Sequence, residues 1–388
     1  MHLLKRVKTK SRLYVCHTFY HVYVSCLKEL KIQREYKHDY RKGDIVLSRM
    51  STDFGSLDKK LISSDIFGEV IWLDEKHESF FPELAKYREN YGNIVKHMVN
   101  RMIFTKLLAK CEEPYMTIDF KAYEDIYVFC DSDPIGYYLN YKHIYYHAVE
   151  DGLDCLKNLD DAFVANSGHF KLKTWFSKHN LIFIMNGYGK YCLDMEVNDI
   201  GVVPTECPYL IEVPRKPLEK ALTSEQKKQM IRAFVDDADS LLTQMKPQTE
   251  GEEFAMFLTE PHPQDEELRK KVCLDVIEKY CKGYRVLIKP HPRDMIDYVD
   301  LCPDCVVLQG RFPIEVLNMF EGIRIKKAVS ILTTAMNAIE FVEEKINLGA
   351  SFWDAYEAPE KHAFNKKAGL KLANEGIVKE NGKDTKKD

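Results

Sequence analysis

The chain has 388 residues, of which 45% are hydrophobic and 30% charged, with a formal net charge of -4. This is enough apolar material for two cores of ordinary size, and the balance of charge excludes a strongly basic nucleic-acid-binding protein, so no nucleic-acid partner is expected. The 11 cysteines sit among apolar neighbours rather than at framework spacings, and the pair Cys302 and Cys305 has no second pair at zinc-site spacing, so no metal is expected.

No apolar run approaches the roughly 18 residues of a membrane-spanning helix, and the N-terminus lacks a signal-type apolar segment; a cytoplasmic protein is expected. Lys5, Arg6, Lys8, Lys10 and Arg12 crowd the N-terminus. They read as a solvated leader before the first strand, with peripheral attraction to the anionic face of the cytoplasmic membrane as the alternative.

RLYVCHTFYHVYVSCLKEL, from Arg12, reads as a strand running into a helix, with His17 to Tyr20 at the turn. GDIVLS from Gly43, EVIWL from Glu69, EDIYVFC from Glu124, HIYYHAVEDG from His143 and LIFIMNG from Leu181 continue the strand series. Helix-like stretches such as FPELAKYRENYGNIVKHMVNRMIFTKLLAK lie between them, which is the grammar of a mostly parallel sheet covered on both faces. GVVPTECPYLIEVPRKPLEKALTSEQ, from Gly201, carries four prolines and reads as a linker near residues 210 to 222. The second half repeats the pattern: EFAMFLTEP, YRVLIKPHP, DCVVLQG and KKAVSILTT as strands, with DEELRKKVCLDVIEKYCKG, PIEVLNMFEG and TTAMNAIEFVEE as helices. The expected domains are 1–215 and 216–375, followed by a polar, lysine-rich tail, 376–388, expected to be disordered.

Several strand ends carry chemistry. In VLIKPHPRD, Val286 to Asp294, a buried strand ends on Lys289, His291 and Arg293, and the flanking prolines restrict the backbone so that the imidazole direction is largely fixed. Such a preorganised donor suits negative charge developing on a leaving phosphate; a rigid turn whose histidine only satisfies backbone groups is the plainer alternative. FLTEPHPQDEE brings Glu260, His262, Asp265 and Glu266 to the same edge, where Asp265 can take a proton from an acceptor hydroxyl or merely cap the next helix. In QGRFPIEVLNM, Gly310 permits a tight turn and Glu315 can accept two ribose hydroxyls or simply favour a helix dipole. Thr333 and Thr334 in SILTTAMNA form either a phosphate seat or an ordinary cap. HAVEDG, His147 to Gly152, reads as an acceptor-side loop or a polar turn.

On these residues the chain resembles the bacterial sialyltransferases, most closely the family that sialylates lipooligosaccharide and capsule. Those enzymes share an acidic-acidic-Gly motif, matched here by Glu150, Asp151 and Gly152, then a His-Pro motif, matched by His291 and Pro292, and a hydroxyl pair, matched by Thr333 and Thr334. The match spans roughly residues 120 to 340. The resemblance implies an α/β fold of GT-B type, with two Rossmann-like domains facing across a cleft. It implies inverting transfer of sialic acid from a CMP-sialic acid donor to a glycan acceptor, expected to end in galactose, without metal or other cofactor. His291 would then contact the CMP phosphate as general acid or electrostatic stabiliser, with Lys289 beside it. Glu315 would bind the ribose hydroxyls, Thr333 and Thr334 the phosphate, and Gly310 would line the cytidine site. Asp265 is expected as the base, with Asp151 second. Glu260 departs from the glutamine at that position in the resembled enzymes. A homodimer is also implied. The rival readings are a transferase using CMP-Kdo or a CDP-polyol, and a noncatalytic protein that binds nucleotide or glycan.

Overall fold

The alternation of short apolar runs with longer helical ones resolves into two all-parallel sheets. The computed structural model describes residues 8–89, 93–129, 131–157, 160–205, 207–260, 266–292, 294–360 and 362. Contact density divides the chain into two units, Met1–Gln229 and Met230–Asp388, the dividing line falling inside the helix Ser224–Phe234.

The first unit is built on β1 (Lys10–Cys16), β2 (Asp44–Ser48), β3 (Val70–Leu73), β4 (Tyr123–Phe129), β5 (Tyr146–Val149), β6 (Cys192–Val197) and β7 (Leu210–Glu212). Their order is β3-β2-β1-β4-β5-β6-β7, with Leu13 opposite Asp44 on one side and Ile126 on the other. All five residues of β2 are buried, as expected for a parallel strand covered on both faces. Leu13, Val15, Val46, Val128 and Ala148 form the centre of one core layer.

Charge fastens the first helix, Phe19–Tyr36, to this sheet. Its Glu29 carboxylate accepts from Arg12, Tyr14, Tyr40 and the Gly43 N–H, which compensates for a buried anion. Lys28 pairs with Glu196 of β6 and lies over the Tyr127 ring. The basic N-terminal cluster is also partly internalised: Lys10 pairs with Asp44 and Glu69, Arg12 with Glu29, and Lys8 donates to the Glu124 carbonyl.

The second unit carries β8 (Phe254–Leu258), β9 (Arg285–Lys289), β10 (Val306–Val307), β11 (Ile325–Ser330) and β12 (Val342–Asn347), ordered β10-β9-β8-β11-β12. The helix Glu266–Tyr280 contributes Val272, Cys273 and Val276 to a core that includes Ala255, Ile288 and Val329. Both sheets share the order in which the chain winds first to one side and then to the other. The reversal falls between β1 and β4 in the first and between β8 and β11 in the second. This establishes the expected α/β architecture of two Rossmann-like units.

Four elements differ from the sequence expectation. LIFIMNG is a buried irregular segment whose Ile182 and Ile184 pack with Ala162 and Tyr188, and the sixth strand is instead Cys192–Val197. The proline-rich stretch forms β7 and a helix, Arg215–Lys220. PIEVLNMFEG and the start of TTAMNAIEFVEE make only 3-10 turns, Ile314–Met319 and Thr334–Ala338, and the latter stretch then becomes β12. The tail 376–388 lies outside the described residues.

Packing is tightest where the chain leaves β4. A Cβ on Gly136, in the helix Pro134–Tyr141, would lie 1.9 Å from the Asp131 carbonyl oxygen and 2.9 Å from the Phe183 ring. Gly136→Ala is expected to lower the unfolding free energy of the first unit by about 3 kcal/mol, measured by urea titration, because backbone must move to admit the methyl.

Candidate functional site

In an open parallel sheet, side chains placed beyond the strand carboxyl ends, at the reversal of strand order, share one crevice. Each unit has its own cluster there.

In the first unit β1 is followed directly by His17, and β5 by Glu150 and Asp151. Thr18 caps the helix Phe19–Tyr36 by accepting from the His21 N–H, which sets His21 on the first turn facing the sheet edge. The His17 N–H donates to His21 Nδ1 at 3.0 Å, so the ring proton of neutral His21 resides on Nε2. Nε2 in turn donates to Asp151, 2.8 Å from Oδ1 and 2.9 Å from its carbonyl oxygen. Burial lowers the His21 pKa, with Asp151 opposing, so the imidazole stays neutral and acts as an orienting donor. The Asp151 side chain itself is 60% exposed. Glu150 points inward: it accepts from the Asn198 N–H at 2.8 Å, faces Arg215 at 3.6 Å, and burial pushes its pKa up to about 8 despite Arg215.

His17 behaves in the opposite way to His21. Burial alone would lower its pKa, but Glu75, 2.5 Å away, and more distantly Asp133 and Asp151, outweigh burial and raise it. Glu75 is correspondingly lowered against burial by His17, the Ser48 hydroxyl and the Ile135 N–H. Asp133 stands 3.7 Å from His17, and burial lifts its pKa to about 6. Although Asp133 occupies the cap position of the helix Pro134–Tyr141, its side chain makes no capping bond.

In the second unit the KPHPRD turn is fastened by Asp294, whose side chain is fully buried. Asp294 accepts from the Thr259 hydroxyl at 2.8 Å, Tyr298 at 2.6 Å, Arg269 at 3.0 Å and the Ile296 N–H at 3.2 Å. Thr259, just beyond β8, passes the restraint on by accepting from the His291 N–H at 3.0 Å. The backbone of His291 is thus tied to two neighbouring strand ends and a helix. His291 and Gly310 share a pocket of about 370 Å³, lined also by Pro292, Met295, Tyr298 and Gln309.

Lys289 lies beneath this pocket rather than in its lining. Its ammonium donates to the carbonyls of Pro290 at 3.1 Å and Gly310 at 3.3 Å and stands 4.2 Å over the Phe312 ring. Burial lowers its pKa to about 7, with Glu315 opposing. It therefore holds the Gly310 turn, where φ is +101°, a conformation that favours glycine. Glu315 is only 7% exposed in its 3-10 turn and lies outside the pocket lining. Thr333 also lies outside the lining and caps Thr334–Ala338 by accepting from the Ala335 N–H. Asp265 lies outside the described residues, as does the Thr334 side chain.

Glu260 sits at the strand-order reversal. Its Oε2 accepts from the Leu332 N–H after β11 at 3.0 Å, while Oε1 is sealed from solvent and has no partner. Burial pushes its pKa up to about 8, and no charged neighbour contributes. Sequence reasoning quoted Thr259, Glu260 and Asp294 without finding these roles, and passed over His21. The i,i+4 spacing of His17 and His21 across a helix start was the available signal.

Among the described residues no group of three or more His, Cys, Asp and Glu side chains is disposed to hold a metal, and no helix is long and apolar enough to cross a membrane.

Paired Rossmann-like units with chemistry at their strand ends define the GT-B type, and known structures share the arrangement. An alpha/beta-galactoside alpha-2,3-sialyltransferase from Photobacterium phosphoreum superposes with a TM-score of 0.56 at 13% identity, covering 96% of this chain and 97% of that one. The GT-B domain of a sialyltransferase from Photobacterium damselae gives 0.52 at 12% identity, covering 95% and 98%. The sequence profile of glycosyltransferase family 52 matches residues 70–348, and the chain belongs to that family. An uncharacterized protein of Haemophilus influenzae is 31% identical over 101 residues, which is 25% of this chain and 31% of that protein, so the match spans about a third of that relative.

Glu260 makes a pH prediction. A carboxyl whose pKa is raised on folding contributes stability that is complete below its unfolded value, near 4.5, and is lost as pH rises through about 8. Glu260→Gln cannot ionise. The difference in melting temperature between variant and wild type is expected to widen in the variant's favour from about pH 4.5 to about pH 8 and then level off; a difference constant with pH would remove the assignment.

Proposed function

We propose that this glycosyltransferase moves sialic acid from CMP-sialic acid to a glycan hydroxyl, with terminal galactose as acceptor and inversion at the anomeric carbon. The observation that carries the reading is the His-Pro turn of the second unit, held by Asp294 and Thr259 and opening on a pocket beside Gly310. An imidazole whose backbone is fixed in this way can meet charge developing on a leaving phosphate with little reorganisation. Membership of family 52 and the likeness in fold to bacterial sialyltransferases support the same choice.

In this reading the second unit holds the donor and the first presents the acceptor. A carboxylate takes the proton of the acceptor hydroxyl as its oxygen bonds to the anomeric carbon. The bond from that carbon to the phosphate oxygen breaks, and CMP leaves with the electron pair, stabilised or protonated by His291. The pocket takes the nucleotide against the Gly310 turn, which Lys289 supports from below. Glu315 and Thr333 serve the ribose and phosphate from positions outside the lining described for the free protein. Asp265 is the proposed base, with Asp151, oriented by His21, as the second candidate. The CMP-linked chemistry needs no metal, because the histidine turn supplies the electrostatic help.

The decisive experiment offers CMP-sialic acid, CMP-Kdo and CDP-polyols with galactose-terminated acceptors and measures release of CMP or CDP. CMP-sialic acid is expected to be turned over in preference; preference for another donor, or release from none, would overturn the reading. His291→Ala is expected to lower kcat by about 100-fold or more while changing donor affinity about threefold at most, as befits a group acting in the transition state. Asp265→Asn and Asp151→Asn are expected to separate the two bases: the true base loses kcat about 1000-fold, and the other variant loses far less.

A further inference from the structure

A second surface of the first unit combines apolar exposure with positive charge. On the helix Ile94–Glu112, Val95, Val99 and Ile103 recur at i, i+4 and i+8 and form an outward stripe, Val95 being 69% exposed. Beside it the helix Phe170–Lys178 presents Leu172 and Trp175, the latter 52% exposed. The two lie side by side: Met98 and Met102 of the one and Phe170 and Phe176 of the other pack on the same buried cluster, and Arg101 bonds to Asn166 and to the Phe183 carbonyl.

Along these two segments the charge has one sign, with Arg101 and Lys178 turned inward onto the Phe183, Gly187 and Gly189 carbonyls and the other cations left for the surface. From Ile94 to Cys111 the sequence carries Lys96, Arg101, Lys106 and Lys110 and no carboxylate; from Ala162 to Asn180 it carries Lys171, Lys173 and Lys178 and again none. Lys173 is lowered by burial and by Arg101, a sign of cations crowded together. At the border of the face lies a pocket of about 720 Å³ whose lining includes Lys106, Lys142, His143, His179 and Lys190, and no acidic side chain. Lys142 is paired outward with Glu113.

We infer that this face docks on an anionic lipid surface, the Val95, Val99, Ile103, Leu172 and Trp175 side chains entering the interface and the lysine- and histidine-lined pocket receiving headgroup phosphate. Apolar and aromatic side chains edged by lysine are what an interfacial segment requires, since burial of the former and attraction of the latter act together. A second copy of this chain fits less well, because a two-fold contact would set one cationic rim against another. The basic N-terminal segment is not the surface proposed, as Lys10 and Arg12 are already paired within the fold.

The test is sedimentation of the full chain with phosphatidylcholine vesicles, with and without phosphatidylglycerol. Binding is expected to the mixed vesicles only, and to fall with added salt. Val99→Glu with Trp175→Glu, and separately Lys106→Glu with Lys190→Glu, are each expected to weaken binding by about tenfold or more without changing the melting temperature. Failure to bind the mixed vesicles overturns the inference, as does undiminished binding by both folded variants. A dimer in solution dissociated by Val99→Glu would give the face to a second copy instead, and an acidic protein that binds it while vesicles do not would give it to that partner.

Discussion

The reversal of strand order is the constraint on which both halves of this molecule depend. In a parallel sheet every strand points its carboxyl end to one edge, and covering helices close most of that edge; only where the chain changes winding direction do two neighbouring loops part. His17 and the segment around Asp133 leave β1 and β4 at this place in the first sheet, and Glu260 and Thr333 follow β8 and β11 at the same place in the second. The candidate site side chains are therefore gathered by topology, from positions more than a hundred residues apart in the case of His21 and Asp151.

Topology brings these groups near one another, but buried polar contacts fix their directions. Asp294 shows the principle: one carboxylate with four donors ties β8, β9, the helix Glu266–Tyr280 and the turn after β9 into a single rigid corner. Such a hub is costly to desolvate and is stable only because each lone pair finds a donor. His21 does similar work as a neutral imidazole, its one ring proton aimed at Asp151 because the other nitrogen is engaged by backbone.

Much of this was legible in the residues themselves. The runs at β1, β2, β4, β8, β9 and β11 announced themselves by apolar density and β-branching, and their alternation with helical stretches led to the α/β class. The failures have physical causes. LIFIMNG is as apolar as any strand, yet its burial is against side chains of neighbouring helices rather than in the ladder. β6 was hidden because Asp194 and Glu196 break its apolar run, their charges being answered by His147 and Lys28 far away in sequence. β12 is an edge strand whose Glu343, Glu344 and Lys345 are exposed, and charge on an edge protects against mispairing while erasing the apolar signature. The candidate site residues could be named only as motifs at strand ends. The partners that orient it, Thr259 for His291 and His21 for Asp151, depend on which strands become neighbours, and no local spacing encodes that.

The unequal electrostatics of the two strand-end clusters carries a further implication. Beyond the first sheet, Asp133 and the exposed Asp151 add carboxylates around a His17 already matched with Glu75, whereas the second cluster holds an imidazole, a buried lysine and a Glu260 whose pKa burial raises to about 8. In the proposed reading, a phosphate ester meets carboxylates at the first cluster, while a neutral polyhydroxylated acceptor meets no such repulsion there. On that reading, this difference sorts substrates by sign of charge ahead of recognition by shape.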